Sequence, residues 1–317
     1  MVGGKRWESG VLSVCLLTYN HAHLIESTLQ SVLAQDYQDF ELIISDDCST
    51  DGTWDILQVL AKQDQRIIVI RTPRNLGMAG NANYAVNYSS GAMIALLHHD
   101  DLYRSDLLTK WVRTIEANPG VGFVFNSYGQ ENTGFVWSHE INGETVEGRD
   151  FLQKHLLSRW DCPVRGTALI QRSHWEQVGG MRTEFGLLAD IDLWMRLARI
   201  GDVGYVAEPL ITVRAQRPEN YPESYKDAWS WPRCKVLYEI HARNHKEIRG
   251  ETGAAWSWFR IRLNIETAKW LAYAVIRHKP EMIRTSLQGE TGYDLVILRV
   301  VRRVLIAMQN RGNREPK

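Results

Sequence analysis

VLSVCLLTYNHAHLIESTLQSVLAQDYQDFELIISDD, residues 11–47, reads as strand, helix and strand in succession. Val11 to Leu17 is an apolar run of strand length. From about Ala22 to Ala34, Leu24, Ile25, Leu29, Val32 and Leu33 fall on a helical period, and Phe40 to Ser45 repeats the strand signal. A chain that alternates in this way builds a sheet from βαβ crossovers.

The pattern continues outward. Ser49-Thr50-Asp51-Gly52 supplies turn and cap chemistry ahead of a helix through Ile56, Leu57 and Leu60, and Arg66 to Arg71 reads as a third strand. Ala79 to Tyr88 gives a third helix and Ala92 to Leu97 a fourth strand. Sheets of this kind bind their ligands at the carboxyl ends of the strands, where strand order reverses. Polar residues gather at those ends: Thr18-Tyr19-Asn20, Asp46-Asp47, Arg71 to Asn75, and His98-His99-Asp100-Asp101.

Two acidic pairs on one rim suit a nucleotide diphosphate site, because a divalent ion beside phosphates takes hard oxygen ligands. The plainer alternative is that these acids cap the helices that follow. No GxGxxG or GxxxxGK[ST] loop follows the first strand, which argues against ordinary dinucleotide or P-loop binding. His98 and His99 invite a zinc reading, but neighbours on an extended chain point to opposite sides and do not readily share one ion. One of them lining a nucleotide pocket is the simpler account.

Further on, Gly166 to Ile170 reads as a strand, Gly179-Gly180 as a turn, and Leu188 to Trp194 as the start of a helix carrying Asp190 and Asp192. These two lie about 200° apart on a helix, so one is expected to face a site and the other to cap or support it. A carboxylate at the mouth of such a site suits a general base.

The length of 317 residues suggests a main domain over 1–225 and a helical region over 226–317. Net charge is zero, which gives no global reason to expect nucleic acid as a partner, although the stretch from Lys226 onward is basic. Four scattered cysteines form no CxxC pair, and no apolar run of spanning length occurs, so a reduced, cytoplasmic setting is expected.

Taken in order, TYN (18–20), SDDCSTDGT (45–53), RNLG (74–77), HHDDLY (98–103), VGG (178–180) and ADIDLW (189–194) resemble family 2 of the glycosyltransferases, over roughly residues 11–216. The resemblance implies a GT-A fold: an α/β, Rossmann-like mixed sheet flanked by helices, here with a helical C-terminal extension. It implies an inverting transfer from a nucleotide-sugar donor to a glycan or lipid-linked acceptor, with Mn²⁺ or Mg²⁺. On this basis Thr18, Tyr19, Asn20, Asp46, Asp47, Asn75, His98, His99 and Arg214 are expected at the nucleotide, and Asp100 at the metal. Asp190 is expected as the base, with Asp192 and Trp194 supporting the acceptor side. The chain departs from the family pattern at His98, where the DxD motif has its first Asp, at Ala189 and at Gln216.

In the tail, Arg299, Arg302 and Arg303 share one face of an expected helix, Leu295 to Met308. Packing on the catalytic domain is the plain reading, and peripheral contact with the inner face of a membrane the sharper one. Two rival functions are carried: a nucleotidyltransferase, and a catalytically silent nucleotide-sugar binding module.

Overall fold

The computed structural model describes residues 8–158, 162–214 and 231–249, with isolated positions between 257 and 269. The chain divides into two compact units, Met1–Glu219 and Asn220–Lys317.

The first unit opens with β1 (Glu8–Thr18), α1 (Ile25–Leu33), β2 (Phe40–Asp46), α2 (Thr53–Leu60), β3 (Ile67–Arg71), α3 (Gly77–Tyr88) and β4 (Gly91–His98). These elements match the sequence expectations to within a few residues at their ends. β5 (Asp101–Tyr103), α4 (Leu107–Ala117), β6 (Val121–Gln130), β7 (Val136–Trp137), β8 (Thr145–Val146) and α5 (Gly148–Phe151) follow. β9 (Ala168–Gln171), α6 (Arg172–Val178), α7 (Ala189–Leu197) and β10 (Asp202–Val213) complete the unit.

One mixed sheet runs β3-β2-β1-β4-β9-β6-β10-β5. β1 pairs in parallel with both β2 and β4, so the chain winds outward through β2 and β3, then returns to place β4 on the other side of β1. That reversal is the switch point, and it opens a crevice beyond the ends of β1 and β4. β9 lies antiparallel between β4 and β6 and joins the first half of the sheet to the second.

β1 is buried from Leu12 to Thr18, which is why its sequence reads as an apolar run. Leu12, Val14 and Leu16 are fully enclosed, each side chain stabilising the fold by about 1.5–3 kcal/mol. α1 buries Ile25, Leu29 and Val32 on one stripe, together with Thr28. Thr28 is tolerated there because its hydroxyl lies 2.7 Å from the His99 carbonyl and 3.1 Å from that of Asp101, so its burial leaves no unmet donor. β10 carries Pro209 opposite Ser127 of β6, and the register shifts on either side of it, where a residue without an N–H interrupts the ladder.

In the second unit α8 (Trp231–Arg249) buries Cys234, Leu237, Tyr238, Ile240 and His241. The expected Leu295–Met308 helix with its three arginines, and Gln216, lie outside the described residues. Among the described residues no helix is long and apolar enough to cross a membrane.

Candidate active site

The rim is built from the ends of β1, β2, β3 and β4. Register places Thr18 beside Asp46 and Leu17 beside His98, so the polar residues read from the sequence do converge. Three of their atoms, Thr18 Oγ1, Asp46 Oδ1 and His98 Nε2, are buried with no hydrogen-bond partner among the described residues. A buried polar atom left unpaired costs about 1–3 kcal/mol, a cost the fold bears at each of these three strand ends.

The two acids of the first pair do different work. Asp47 accepts from Thr72 Oγ1 at 2.9 Å, the Leu76 N–H at 2.8 Å and the Gly77 N–H at 2.8 Å, so it caps α3. Both its oxygens are thereby engaged within the chain, which fits the helix-capping alternative for this residue. Asp46 uses only one oxygen, which accepts from the Ser49 N–H at 3.1 Å and pairs with Arg71 at 3.2 Å. Burial pushes both carboxyls upward, against the bonds from Ser49 and Arg71 on Asp46 and from Leu76, Thr72 and Gly77 on Asp47.

The loops that leave β1 and β2 hold each other. Asn20 and Cys48 take left-handed backbone, φ 53° and 60°. The Asn20 N–H donates to Ser49 Oγ at 2.9 Å, and the Thr50 N–H donates to Asn20 Oδ1 at 2.8 Å. Asn75 accepts the Gly77 N–H within its own turn, and Tyr19 is half-buried at the rim. Arg71 stacks over Trp54 at 5.1 Å and donates to the Ser49 carbonyl at 2.6 Å.

The segment from His98 to Asp101 is fixed from three sides. Tyr103 Oη donates to the His98 carbonyl at 2.6 Å and accepts the His98 N–H at 2.8 Å. Arg214 donates through Nε to the Asp100 carbonyl at 2.7 Å, through Nη1 to Ser27 Oγ at 2.8 Å, and also to Thr28 Oγ1. The guanidinium expected near the diphosphate therefore grips the turn that carries Asp100. Gly166 packs on His98: its φ is +80°, and a Cβ there would sit 2.5 Å from the imidazole Cε1, so only glycine fits.

His98 and His99 do point apart. His98 groups with Asp100 and Asp101, His99 with His21 and Asp100, and in each group one donor atom per residue lies within 4.8 Å of the others. Asp100 is common to both groups. Burial pushes the His99 imidazole down to about 4, and burial followed by the neighbouring Asp100 pushes Asp101 up to about 8. His21 was not foreseen as a site residue, because nothing in residues 18–21 signals a partner 78 positions away.

Asp190 sits half-buried in the first turn of α7. Asp192 is fully buried and accepts from Arg196 Nε at 2.7 Å and Arg182 at 3.2 Å. Arg196 then donates to the carbonyls of Val178 at 2.7 Å and Gly180 at 2.8 Å, so Asp192 supports from within the protein. Trp194 has no exposed surface and packs on Phe123 with ring centroids 5.2 Å apart, so any support it gives comes from within the core. Asn83 of α3 bonds Met181 in both directions, at 2.8 and 2.9 Å, and thereby ties the approach to α7 to the helix capped by Asp47.

Comparison with known proteins fits this geometry. The glycosyl transferase family 2 model matches residues 13–178. The putative teichuronic acid biosynthesis glycosyltransferase TuaG of Bacillus subtilis is 44% identical over 100 residues, 32% of this chain and 40% of its own length. The Escherichia coli UDP-Glc:alpha-D-GlcNAc-diphosphoundecaprenol beta-1,3-glucosyltransferase WfaP is 35% identical over 118 residues, 37% of this chain and 46% of its own. The chain thus spans less than half the length of either relative. Among solved structures, S. aureus TarS in complex with UDP-GlcNAc has a TM-score of 0.64 at 15% identity, covering 94% of this chain and 87% of that one. The mannosyltransferase PcManGT from Pyrobaculum calidifontis in complex with GDP-Man and Mn²⁺ has a TM-score of 0.55 at 20% identity, covering 96% and 88%. The likeness is one of fold, and the fold is the GT-A arrangement expected from the sequence.

Proposed function

Because the chain belongs to glycosyl transferase family 2, we propose that it is an inverting glycosyltransferase. It moves a sugar from a nucleotide-sugar donor to a hydroxyl of a glycan or lipid-linked saccharide, in the cytoplasm beside the membrane that carries such acceptors. The relative that acts on a diphosphoundecaprenol-linked saccharide supports this acceptor class. The observation that carries the reading is the convergence of Thr18, Asp46 and His98 at the carboxyl ends of three neighbouring strands, with Asp100 grouped beside His98.

In this reading the nucleoside lies over Thr18, Tyr19 and Asn20, against Asp46. Asp47 and Asn75 shape that cradle by fixing the start of α3. His98 and His99 flank the diphosphate, and Arg214 positions the Asp100 turn by holding its carbonyl oxygen. Asp100 would hold a divalent ion, which would supply positive charge against the diphosphate; a fold neighbour was solved with GDP-Man and Mn²⁺.

Asp190 takes the proton of the acceptor hydroxyl. The oxygen bonds to the anomeric carbon from the face opposite the diphosphate, and the old C–O bond breaks with its electron pair leaving on the nucleoside diphosphate. Asp192 keeps the α7 turn that carries Asp190 in place through Arg196.

The test is a thermal-shift screen against UDP, GDP, dTDP and CDP, each with and without Mn²⁺ or Mg²⁺, followed by product analysis with the matching donor. A metal-dependent shift with one nucleotide, and release of a nucleoside diphosphate, are expected. Asp190→Asn should keep the shift and lose about 10²–10⁴-fold in kcat. Release of inorganic diphosphate would indicate a nucleotidyltransferase, and donor binding without turnover a silent binding module.

A further inference from the structure

An aromatic corner stands on the hairpin that follows β6. Phe135 is 52% exposed and Val136 41%, and the rings of Phe135 and Trp137 meet at 83° with centroids 4.9 Å apart. Open apolar surface with a polar border marks a place that a ligand or partner covers.

The corner is held in shape from several sides. Trp137 pairs with Tyr128 of β6, and the exposed Arg165 guanidinium lies over its ring, 4.4 Å from the centroid. The Arg165 N–H donates to Tyr128 Oη at 3.2 Å, which pins residue 165 to the same strand. The Phe135 N–H donates to Thr133 Oγ1 at 3.1 Å, and its carbonyl accepts the Gln130 N–H at 2.9 Å. Rings fixed in this way lose little freedom when a ligand covers them.

Sheet register connects the corner to the rim. Val136 pairs with Gly129, and the next residue, Gln130, lies beside Val213 of β10, which pairs with Asp101 of β5. Arg165 precedes Gly166, the residue packed on His98, and its charge opposes the upward push of burial and Asp100 on the Asp101 carboxyl.

Chemistry selects the occupant. A pyranose offers a C–H face to an aromatic ring and hydroxyl oxygens to guanidinium donors. An anionic bilayer calls for cations, yet residues 129–148 carry Glu131, Glu140, Glu144 and Glu147 and neither Lys nor Arg. A second copy pairing edge to edge needs a long free strand, and β7 has two residues.

We propose that Phe135, Trp137 and Arg165 form a saccharide subsite for the acceptor: Phe135 stacks on a pyranose ring, and Arg165, seated on Trp137, donates to its hydroxyls. Its part in catalysis rests on the transferase reading, whereas its affinity for sugar is measured without donor.

The probes are the methyl pyranosides of glucose, galactose, mannose and N-acetylglucosamine, in both anomers. Saturation-transfer difference NMR of the full chain is recorded with each alone, and again with UDP, GDP, dTDP or CDP and Mg²⁺. At least one pyranoside should receive saturation on one ring face and keep it when nucleotide is present. Phe135→Ala, at an exposed position, should weaken that binding by at least about threefold, and Phe135→Tyr should hold it within about twofold. Arg165→Met should weaken it as well.

No saturation transfer from any probe, or equal binding by the native chain and Phe135→Ala, overturns the subsite. So does a signal that nucleotide abolishes, which would put the sugar in the donor pocket. Phe135-dependent binding to phosphatidylglycerol vesicles without sugar binding, or a dimer that Phe135→Ala dissociates, would assign the corner to a bilayer or to a second copy and also overturn it. Nucleotide binding is read separately by thermal shift. Its absence beside Phe135-dependent sugar binding would remove the transferase reading and leave a saccharide site; its presence with no sugar bound would remove the subsite alone.

Discussion

Replacing Asp192 by asparagine keeps its shape and removes the carboxylate charge from a place with no solvent access. Arg196, its main partner, is only 4% exposed and sits 2.7 Å away. Breaking a buried pair by removing one charge costs about 3–5 kcal/mol, because the remaining charge stays in a poorly solvating interior. The Arg182 contact is longer, 3.2 Å, and its side chain is 22% exposed, so its loss adds less than about 1 kcal/mol. Asparagine can still accept one bond from Arg196, which places the expected loss near the lower figure, about 3 kcal/mol. At about 2–4 °C per kcal/mol for a unit of this size, Tm falls by roughly 6–12 °C.

Urea unfolding followed by tryptophan fluorescence reads this as a lower midpoint with an unchanged slope. The control is Asp192→Asn combined with Arg196→Met, which removes both charges and should recover part of the loss. A loss below about 1 kcal/mol for Asp192→Asn alone, or a double variant as unstable as the sum of its singles, would refute the argument.

Two further outcomes follow from local geometry. Gly148→Ala would drive a Cβ into the carbonyl oxygens of Ala198 and Gly201, both backbone atoms that cannot swing aside. Differential scanning calorimetry should register a loss of about 1–3 kcal/mol, typical of overpacking, and an unchanged Tm would contradict the close approach. In the second unit, burial first, then Arg262 and His245, push His241 down to about 3, below its ordinary 6.5. The folded form therefore keeps the ring neutral. This contribution is intact above about pH 6.5 and is lost at about 1.4 kcal/mol per pH unit as pH falls from there toward 3. Urea midpoints at pH 7.5, 6 and 5 should fall more steeply for the native chain than for His241→Gln, and parallel slopes would disprove it.

The first four strands and three helices are legible in the sequence because each carries a periodic apolar pattern long enough to identify. β5, β7 and β8 are two or three residues long and exist only through their pairing with distant strands, so no local pattern announces them. β10 hides for a different reason: Pro209 breaks the strand signal where the register shifts. At the site, residue type and strand-end position brought out Thr18, Asp46, His98 and Asp100. They could not separate Asp46 from its neighbour, since the difference lies in which oxygen the α3 turn occupies. The burial of Trp194 was not legible either, because its place in a motif says nothing of which way a helix faces. Asn83 and His21 were invisible, for their importance rests on contacts 98 and 78 residues away.

The pair of hydrogen bonds between Asn83 and Met181 bears on how such enzymes can be rebuilt. From Gly77, which closes over Asp47, to Asn83 is six helical steps, about 9 Å of stiff rod. That rod acts as a gauge block between the two halves of the rim. A chimaera that imports a new 181–197 segment from a relative, to alter what the protein accepts, inherits a segment cut for another gauge. It should work only when position 83 and the turn at 180–181 travel together, whereas loops that never touch α3 can be exchanged singly.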